Sequence, residues 1–284
     1  MPWQGVHTAL VTPFSGDSLD LSCFRALCER QLRAGVHGLV PCGTTGETPT
    51  LSEPEWDQLV ATAVEVSGGA VPVTAGVGTN ATASTLDRIR RAQVLGADAG
   101  LLVLPYYNKP SPDGLRAHVA ACAAPGLPLV LYHVPGRTGQ RVAPELLAEL
   151  SHAPGVVAIK EATGDLGYAN TLLANTPIAV LSGDDGTFFP LMALGGSGVI
   201  SVISDLAPAA TVGLYEAASE GDLCRARELH FGLLPVIDWL FHTTSPGPAK
   251  AALAAVGMCA NELRLPLAPF QASVPDFVLD AVEL

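Results

Sequence analysis

The sequence predicts a closed α/β barrel of the (β/α)8 type, the TIM barrel, followed by a helical C-terminal extension. Short apolar runs typical of buried parallel strands alternate with helical patterns along the chain. Eight such strands can be counted, which is the number that closes this barrel. We place the barrel in residues 1–220 and the extension in residues 221–284. An open doubly wound sheet is less favoured, because no strand runs into a Gly-x-Gly-x-x-Gly turn.

The individual elements follow from local patterns. The predicted strands cover residues 6–11, 38–40, 71–77, 99–104, 129–132, 156–160, 178–182 and 198–202. Helical patterns cover residues 22–34, 82–95 and 113–123, and further helices are expected from near Pro144 and from about Pro208. Another helix should begin after Ser52, a capping residue that is followed by Pro54 in the first turn. The C-terminal helical pattern is interrupted at residues 245–248, and residues 264–267 are irregular before a last short helix.

The composition excludes several classes of protein. The 15 basic and 27 acidic residues give a net charge of −12, which argues against nucleic-acid binding because that requires a basic surface. No run of about 20 apolar residues predicts a transmembrane helix, and no signal-peptide pattern is visible. The six cysteines show neither Cys-x-x-Cys pairs nor metal-type grouping with histidine. We therefore expect reduced thiols and a cytoplasmic location.

One lysine stands out. The chain has three lysines, at 109, 160 and 250, among 15 basic residues, so arginine supplies most of the positive charge. Lys160 ends the β-branched run of the sixth strand, where the chain leaves the core. A partly desolvated lysine amine can form a Schiff base with a carbonyl substrate. The alternative is a lysine that extends its stem out of a strand end towards water.

Other polar groups fall at the same ends of the predicted strands. In this barrel the chemistry gathers at the C-terminal ends of the strands. The groups found there are Thr44, Thr45, Tyr106, Tyr107, Tyr132, Arg137, Lys160 and Ser201. They include no histidine–acid pair and no metal-type cluster. Asp184 and Asp185 form the one acidic pair, and helix capping explains them better than a divalent metal does.

This set of side chains suits imine chemistry. A tyrosine such as Tyr132 can shuttle protons if a hydrogen-bonded relay, for example through Thr44, lets its phenol act at neutral pH. Backbone N–H groups around Thr44 and Thr45 could bind a small carboxylate. Arg137, between glycines, could hold a second carboxylate through both guanidinium nitrogens. Each residue also has a structural alternative, such as a turn, a cap or a surface aromatic, and their convergence on one face favours the chemical interpretation.

Six motifs, in order along the chain, resemble one family. They are Gly43-Thr44-Thr45-Gly46-Glu47, Tyr106-Tyr107-Asn108-Lys109-Pro110, residues 132–139 (YHVPGRTG), Lys160-Glu161-Ala162-Thr163-Gly164, Ser182-Gly183-Asp184-Asp185 and Gly198-Val199-Ile200-Ser201-Val202. Together they resemble the dihydrodipicolinate synthases, within the pyruvate-dependent class I aldolase family that also holds N-acetylneuraminate lyase. The likeness extends over essentially the whole chain.

The resemblance implies a lyase that condenses pyruvate with aspartate semialdehyde through a Schiff base on Lys160, as in lysine and diaminopimelate biosynthesis. It implies roles for Tyr132 as proton shuttle, Thr44 as relay, and Tyr107 as a residue entering from a neighbouring subunit. Substrate-binding roles are implied for Thr45, Arg137, Gly183 and Ile200. It implies a homotetramer and no metal or other cofactor. The alternatives are a Schiff-base lyase or dehydratase acting on a 2-keto-3-deoxy sugar acid or N-acetylneuraminate, and a non-catalytic binding barrel.

Two positions depart from the motifs of the synthases. His133 stands where asparagine is usual, and Ser245-Pro246-Gly247-Pro248 replaces an asparagine-proline-x-proline pattern. We expect His133 to act indirectly, on the surroundings of Tyr132, and the second segment to be structural.

A further departure predicts weak or absent feedback inhibition by lysine. Lysine-inhibited members of the family bind lysine with Asn80, Tyr106, a histidine and a glutamate, but here Trp56 and Ser84 occupy the last two positions. The ε-ammonium of lysine would then be desolvated without an anionic partner. A steady-state assay over increasing lysine concentration should show little inhibition, and half-inhibition at low lysine concentration would contradict this prediction.

Overall fold

The structure is a computed structural model that describes residues 3–283. Its main feature is a parallel sheet of eight strands. In chain order they are β1 (Gly5–Ala9), β2 (Gly38–Val40), β3 (Thr74–Gly76), β4 (Ala99–Val103), β5 (Leu129–His133), β6 (Val156–Glu161), β7 (Ala179–Ser182) and β8 (Gly198–Ser201). β1 pairs with both β2 and β8, and a bridge between Leu39 and Val73 joins β2 to β3. The sheet is therefore closed, and the predicted barrel is confirmed.

Helices surround the barrel and form the C-terminal region. They are α1 (Leu21–Arg33), α2 (Glu53–Ser67), α3 (Thr82–Val94), α4 (Pro112–Ala123), α5 (Pro135–Thr138), α6 (Pro144–Leu150), α7 (Leu166–Asn175), α8 (Phe188–Ala193), α9 (Pro208–Ser219), α10 (Leu223–Phe241), α11 (Gly247–Ala255) and α12 (Asp276–Leu279). The predicted cap of α2 is present, since the Ser52 N–H donates to the Glu55 carboxylate at 2.9 Å. None of the described helices is both long and apolar enough to cross a membrane.

The barrel strands separate two apolar layers. One layer fills the barrel interior and includes Ala158, Leu181 and Ile200. The other lies between the strands and the outer helices and includes Ile159 and Val180. Successive side chains of a strand point to opposite faces, so Ala158 faces inwards and Ile159 faces outwards. The same alternation directs the side chain of residue 160 towards the interior.

The C-terminal region is joined to the barrel by a buried ion pair. Lys250 belongs to α11, and its ammonium donates to the Glu47 carboxylate and to the Thr12 carbonyl, at 2.7 Å each. Both side chains of the pair are fully buried. The Arg264 N–H donates to the second Glu47 oxygen at 3.1 Å. The pair thus connects the loop after β2 with α11 and the segment that follows it. The boundary proposed at residue 220 falls in the turn between α9 and α10.

This arrangement predicts a large effect of Lys250→Met on stability. The substitution keeps an unbranched apolar stem but leaves the Glu47 carboxylate buried without its counter-ion. Removing one partner of a buried pair typically costs about 3–5 kcal/mol, and the free energy of unfolding from urea denaturation should fall by that order.

The control is Arg90→Met, which breaks an exposed pair between Arg90 and Asp87 and should leave the denaturation curve nearly unchanged. An equally small change for Lys250→Met would show that the buried pair is not needed to hold the C-terminal region.

Candidate active site

A cavity of about 420 Å³ opens at the C-terminal ends of the barrel strands. Its lining combines residues from several strand ends with a segment that follows α10. The lining residues are Thr44, Thr45, Tyr132, Val134, Gly136, Arg137, Lys160, Ala162, Gly183, Asp184, Val202, Phe241, Thr243, Thr244 and Ser245. Most of the residues singled out from the sequence therefore come together here.

Lys160 and Tyr132 are neighbours on adjacent strands. They are paired in the register of β5 and β6, so both side chains project into the barrel at the same level. The Lys160 ammonium lies 4.4 Å from the centroid of the Tyr132 ring. Both residues are nearly buried, with 6% and 5% of their surfaces exposed. An amine in such a dry position, beside a phenol, is placed for attack on a carbonyl carbon with a proton donor at hand.

Gly183 makes room for the lysine. A Cβ atom at this position would lie 2.8 Å from Lys160 Cε and 2.7 Å from the Ala162 side chain. Neither distance is compatible with a normal van der Waals contact. The Gly183 N–H also donates to the Glu161 carbonyl at 2.6 Å, which fixes the end of β7 against β6. Any larger residue at 183 would displace the stem of Lys160.

The loop after β2 presents two hydroxyls. Thr44 and Thr45 both line the cavity, and Thr45 is nearly buried. The Thr12 hydroxyl fixes this loop by donating to the Gly46 carbonyl at 2.7 Å. A second, water-sized space of about 30 Å³ lies between Thr44 and Tyr132. The two hydroxyl-bearing residues therefore border one small gap, whose lining also includes the apolar Leu101 and Val103.

Arg137 occupies the opposite wall, on the short helix α5. Its guanidinium lies 3.4 Å from the Ser245 carbonyl, to which it donates. The segment 243–245 also lines the cavity, and its last residue, Ser245, opens the segment 245–248 that we expected to be structural. More than 100 residues separate it from Arg137, so no local pattern could have revealed this contact.

Four of the predicted residues do not line this cavity: Tyr106, Tyr107, Ile200 and Ser201. Tyr107 is 87% exposed, has a positive φ of 74°, and donates its N–H to the Thr138 carbonyl at 3.3 Å. Ile200 is buried in the barrel interior, in the layer that contains Tyr132 and Leu181. A further cavity of about 350 Å³ adjoins the site, and Thr44, Tyr106 and Arg137 are among its lining residues.

Comparison with known proteins assigns the family. The model of the dihydrodipicolinate synthetase family matches residues 2–283. The chain belongs to this family. The curated 4-hydroxy-tetrahydrodipicolinate synthase of Thermomicrobium roseum is 48% identical over 269 residues, covering 94% of this chain and 89% of that protein. The dihydrodipicolinate synthase of Thermotoga maritima has the same fold, with a TM-score of 0.93 at 42% identity over 98% of this chain and 96% of that one.

A second related structure contains a ligand. The dihydrodipicolinate synthase of Acinetobacter baumannii, solved in complex with pyruvate, is 38% identical to this chain. It superimposes with a TM-score of 0.93 and covers 98% of this chain and 97% of that one.

Membership of the family confirms the barrel and the resemblance predicted from the six motifs, and it makes the chain an enzyme of the lyase class.

The family context makes His133 a notable residue, because its neighbour Tyr132 is central to the site. His133 points to the outer face of β5, is completely buried, and packs against Tyr168 with ring centroids 5.6 Å apart. Neither ring nitrogen has a hydrogen-bond partner within residues 3–283. Burial lowers the pKa of His133 to about 4, so the ring is neutral near pH 7. It therefore adds no charge beside Tyr132.

The acidic residues of the motifs have structural contacts. Asp184 accepts from the Gly186 N–H at 2.9 Å, and one Asp185 oxygen accepts from the N–H groups of Val202 and Ile203 at 3.0 Å. The Asp184 contact is a helix cap of the kind expected from the sequence, whereas Asp185 reaches the segment after β8. Glu161 accepts from the Thr163 N–H at 2.7 Å. The part of the chain that the structure describes has no cluster of acidic, histidine or cysteine side chains suited to a metal ion.

The positions that bear on lysine binding are also defined. Trp56 is buried, and its indole N–H donates to the Gly76 carbonyl at 3.0 Å. The Ser84 hydroxyl lies 2.7 Å from the Thr79 hydroxyl. Neither side chain carries a negative charge, and the indole is directed into the protein. The expectation of weak lysine feedback thus remains a prediction with a defined structural setting.

Proposed function

We propose that the chain is a 4-hydroxy-tetrahydrodipicolinate synthase, which condenses pyruvate with aspartate semialdehyde in the biosynthesis of diaminopimelate and lysine. The observation that carries this proposal is the pairing of Lys160 with Tyr132 inside a cavity that also holds Arg137. The shared name of the curated relatives supports the same reaction. That name also favours this function over cleavage of a 2-keto-3-deoxy sugar acid or N-acetylneuraminate.

The first half of the reaction uses Lys160. Its neutral amine attacks the keto carbon of pyruvate to form a carbinolamine, which loses water to give a protonated imine. Loss of a proton from the methyl group converts this imine into an enamine. Tyr132 is the group placed to move these protons, with Thr44 as its relay. The Thr45 hydroxyl and nearby backbone N–H groups would hold the pyruvate carboxylate, with Gly183 contributing a backbone contact.

The second half joins the two substrates. The enamine carbon attacks the aldehyde carbon of aspartate semialdehyde, and the resulting alkoxide takes a proton. The substrate's own amine then attacks the imine carbon, which releases the Lys160 amine and closes the six-membered ring. Arg137 is exposed to the cavity and would bind the carboxylate of this second substrate. No metal or other cofactor enters any step, because the lysine imine itself activates the pyruvate carbon.

We also assign Tyr107 to a partner subunit's site, within a homotetramer built from tight dimers. Its side chain is 87% exposed in its own chain, so a second copy of the chain can contact the phenol. The cavity of about 350 Å³ beside Thr44 has room for such a ring. A phenol entering there from a second copy would extend the relay from Tyr132 through Thr44. We place the enzyme in the cytoplasm, in keeping with its six free thiols.

Trapping of the imine tests the function. Borohydride reduction in the presence of pyruvate should add a stable adduct to the peptide that contains Lys160, as detected by mass spectrometry, and a coupled assay should show turnover with aspartate semialdehyde. Lys160→Ala should abolish the adduct, whereas Lys109→Ala, which removes an exposed lysine, should retain it. Absence of an adduct on the wild-type enzyme would refute Schiff-base catalysis, and turnover of sugar acids alone would refute the assigned substrate.

Mixing of two inactive variants tests the assignment of Tyr107. Tyr107→Phe and Lys160→Ala should each have low activity on their own. In dimers formed from one subunit of each kind, one site has Lys160 and also receives an intact Tyr107 from the other subunit. Unfolding and refolding the mixture should therefore restore a quarter or so of the wild-type activity. No recovery, despite mixed dimers seen by native mass spectrometry, would place the contribution of Tyr107 within its own chain.

A further inference from the structure

The cavity has an uneven distribution of charge. Its cationic side chains are Arg137 and Lys160, and Asp184 is the one acidic side chain in its lining as far as the described residues go. Asp184 immediately follows Gly183, the residue against which the Lys160 stem packs. The carboxylate is half-buried at the end of β7. A single carboxylate is therefore built into a site that otherwise attracts anions.

One oxygen of this carboxylate is left for a ligand. The Gly186 N–H occupies Asp184 Oδ1 at 2.9 Å. Asp184 Oδ2 receives no hydrogen bond from residues 3–283, and a Cβ atom added at Gly164 would lie 3.7 Å from it. Capping alone needs only one oxygen, and an asparagine would provide it equally well.

Two other carboxyl groups lie close enough to Asp184 to be affected by its charge. Burial raises the pKa of Glu161, and the nearby charge of Asp184 raises it further. The same two causes, burial first, act on Asp185. Both side chains are almost fully buried and have no positively charged partner among their described hydrogen bonds. A cation bound at Asp184 Oδ2 would relieve the repulsion between the Asp184 carboxylate and these two groups.

From this geometry we propose that Asp184 binds the α-ammonium group of the amino-acid aldehyde. The inference rests on the proposed function and adds to it a residue that determines specificity. Aspartate semialdehyde carries a carboxylate, an ammonium and an aldehyde, and the cavity offers Arg137, Asp184 and the Lys160 enamine in one space. Three attachments define the handedness of the bound substrate. The substrate nitrogen must later displace Lys160 from the imine carbon. Binding at Asp184 would place this nitrogen on the side of the cavity where Gly183 and Lys160 lie.

The test uses a ligand that lacks only the ammonium group. 4-Oxobutanoate has the carboxylate and the aldehyde of the substrate but no amine. Asp184→Asn should raise the KM for aspartate semialdehyde about tenfold to a hundredfold, the size expected when a hydrogen bond to a charged group is lost. The inhibition constant of 4-oxobutanoate against aspartate semialdehyde should change less than about threefold. Arg137→Ala should weaken both ligands, because both carry the carboxylate.

Two control measurements accompany this test. Pyruvate trapping by Asp184→Asn confirms that the variant is folded and that Lys160 is reactive. Asp222→Asn, at a capping aspartate that accepts from the Arg225 N–H remote from the cavity, controls for the change in cap chemistry and should leave both constants unchanged. An equal effect of Asp184→Asn on the two ligands, or no effect on either, would overturn the inference while the wild-type reaction stands. Wild-type enzyme that traps pyruvate but does not turn over aspartate semialdehyde would overturn the proposed function as well.

Discussion

The buried contact between Glu47 and Lys250 holds two walls of the cavity in place. Glu47 ends the loop that presents Thr44 and Thr45, and Lys250 belongs to α11, which begins immediately after the cavity segment 243–245. Desolvating two charges costs several kcal/mol for each ion, so such a pair seldom adds net stability. The Thr12 carbonyl and the Arg264 N–H offset part of that cost. We infer that the main role of the pair is to position these two elements, because it sets the distance between the threonine loop and the C-terminal wall.

Strand alternation explains why His133 stays out of the site although it directly follows Tyr132. Tyr132 and Lys160 face into the barrel as one cross-strand pair, and the next pair, His133 and Glu161, faces outwards under α7. The imidazole therefore meets apolar packing rather than substrate. Its lowered pKa keeps it neutral where the enzyme would work, so replacing the usual asparagine changes the packing behind the strand without adding a charge to the site.

The barrel, its eight strands and six of the residues that line the cavity could be predicted because local sequence determines them. Apolar runs mark buried strands, and the parallel topology brings their C-terminal ends together.

Some boundaries were wrong: β3 spans Thr74–Gly76 rather than residues 71–77, since Pro72 has no N–H to donate to a ladder. The hairpin of Phe14–Ser15 with Ser18–Leu19 and the short helix α5 also went unnoticed. The cavity wall at 243–245 depends on contacts across more than 100 residues, which no periodicity encodes.

In the proposed reaction pyruvate must react first, because the enamine that attacks the aldehyde forms only from its imine with Lys160. Arg137 and Asp184 would then hold the two charged groups of aspartate semialdehyde, and their opposite charges would set its orientation. A chain with a net charge of −12 has no general attraction for the pyruvate anion or for the carboxylate of aspartate semialdehyde, so local groups such as Arg137 and the threonine loop must supply it.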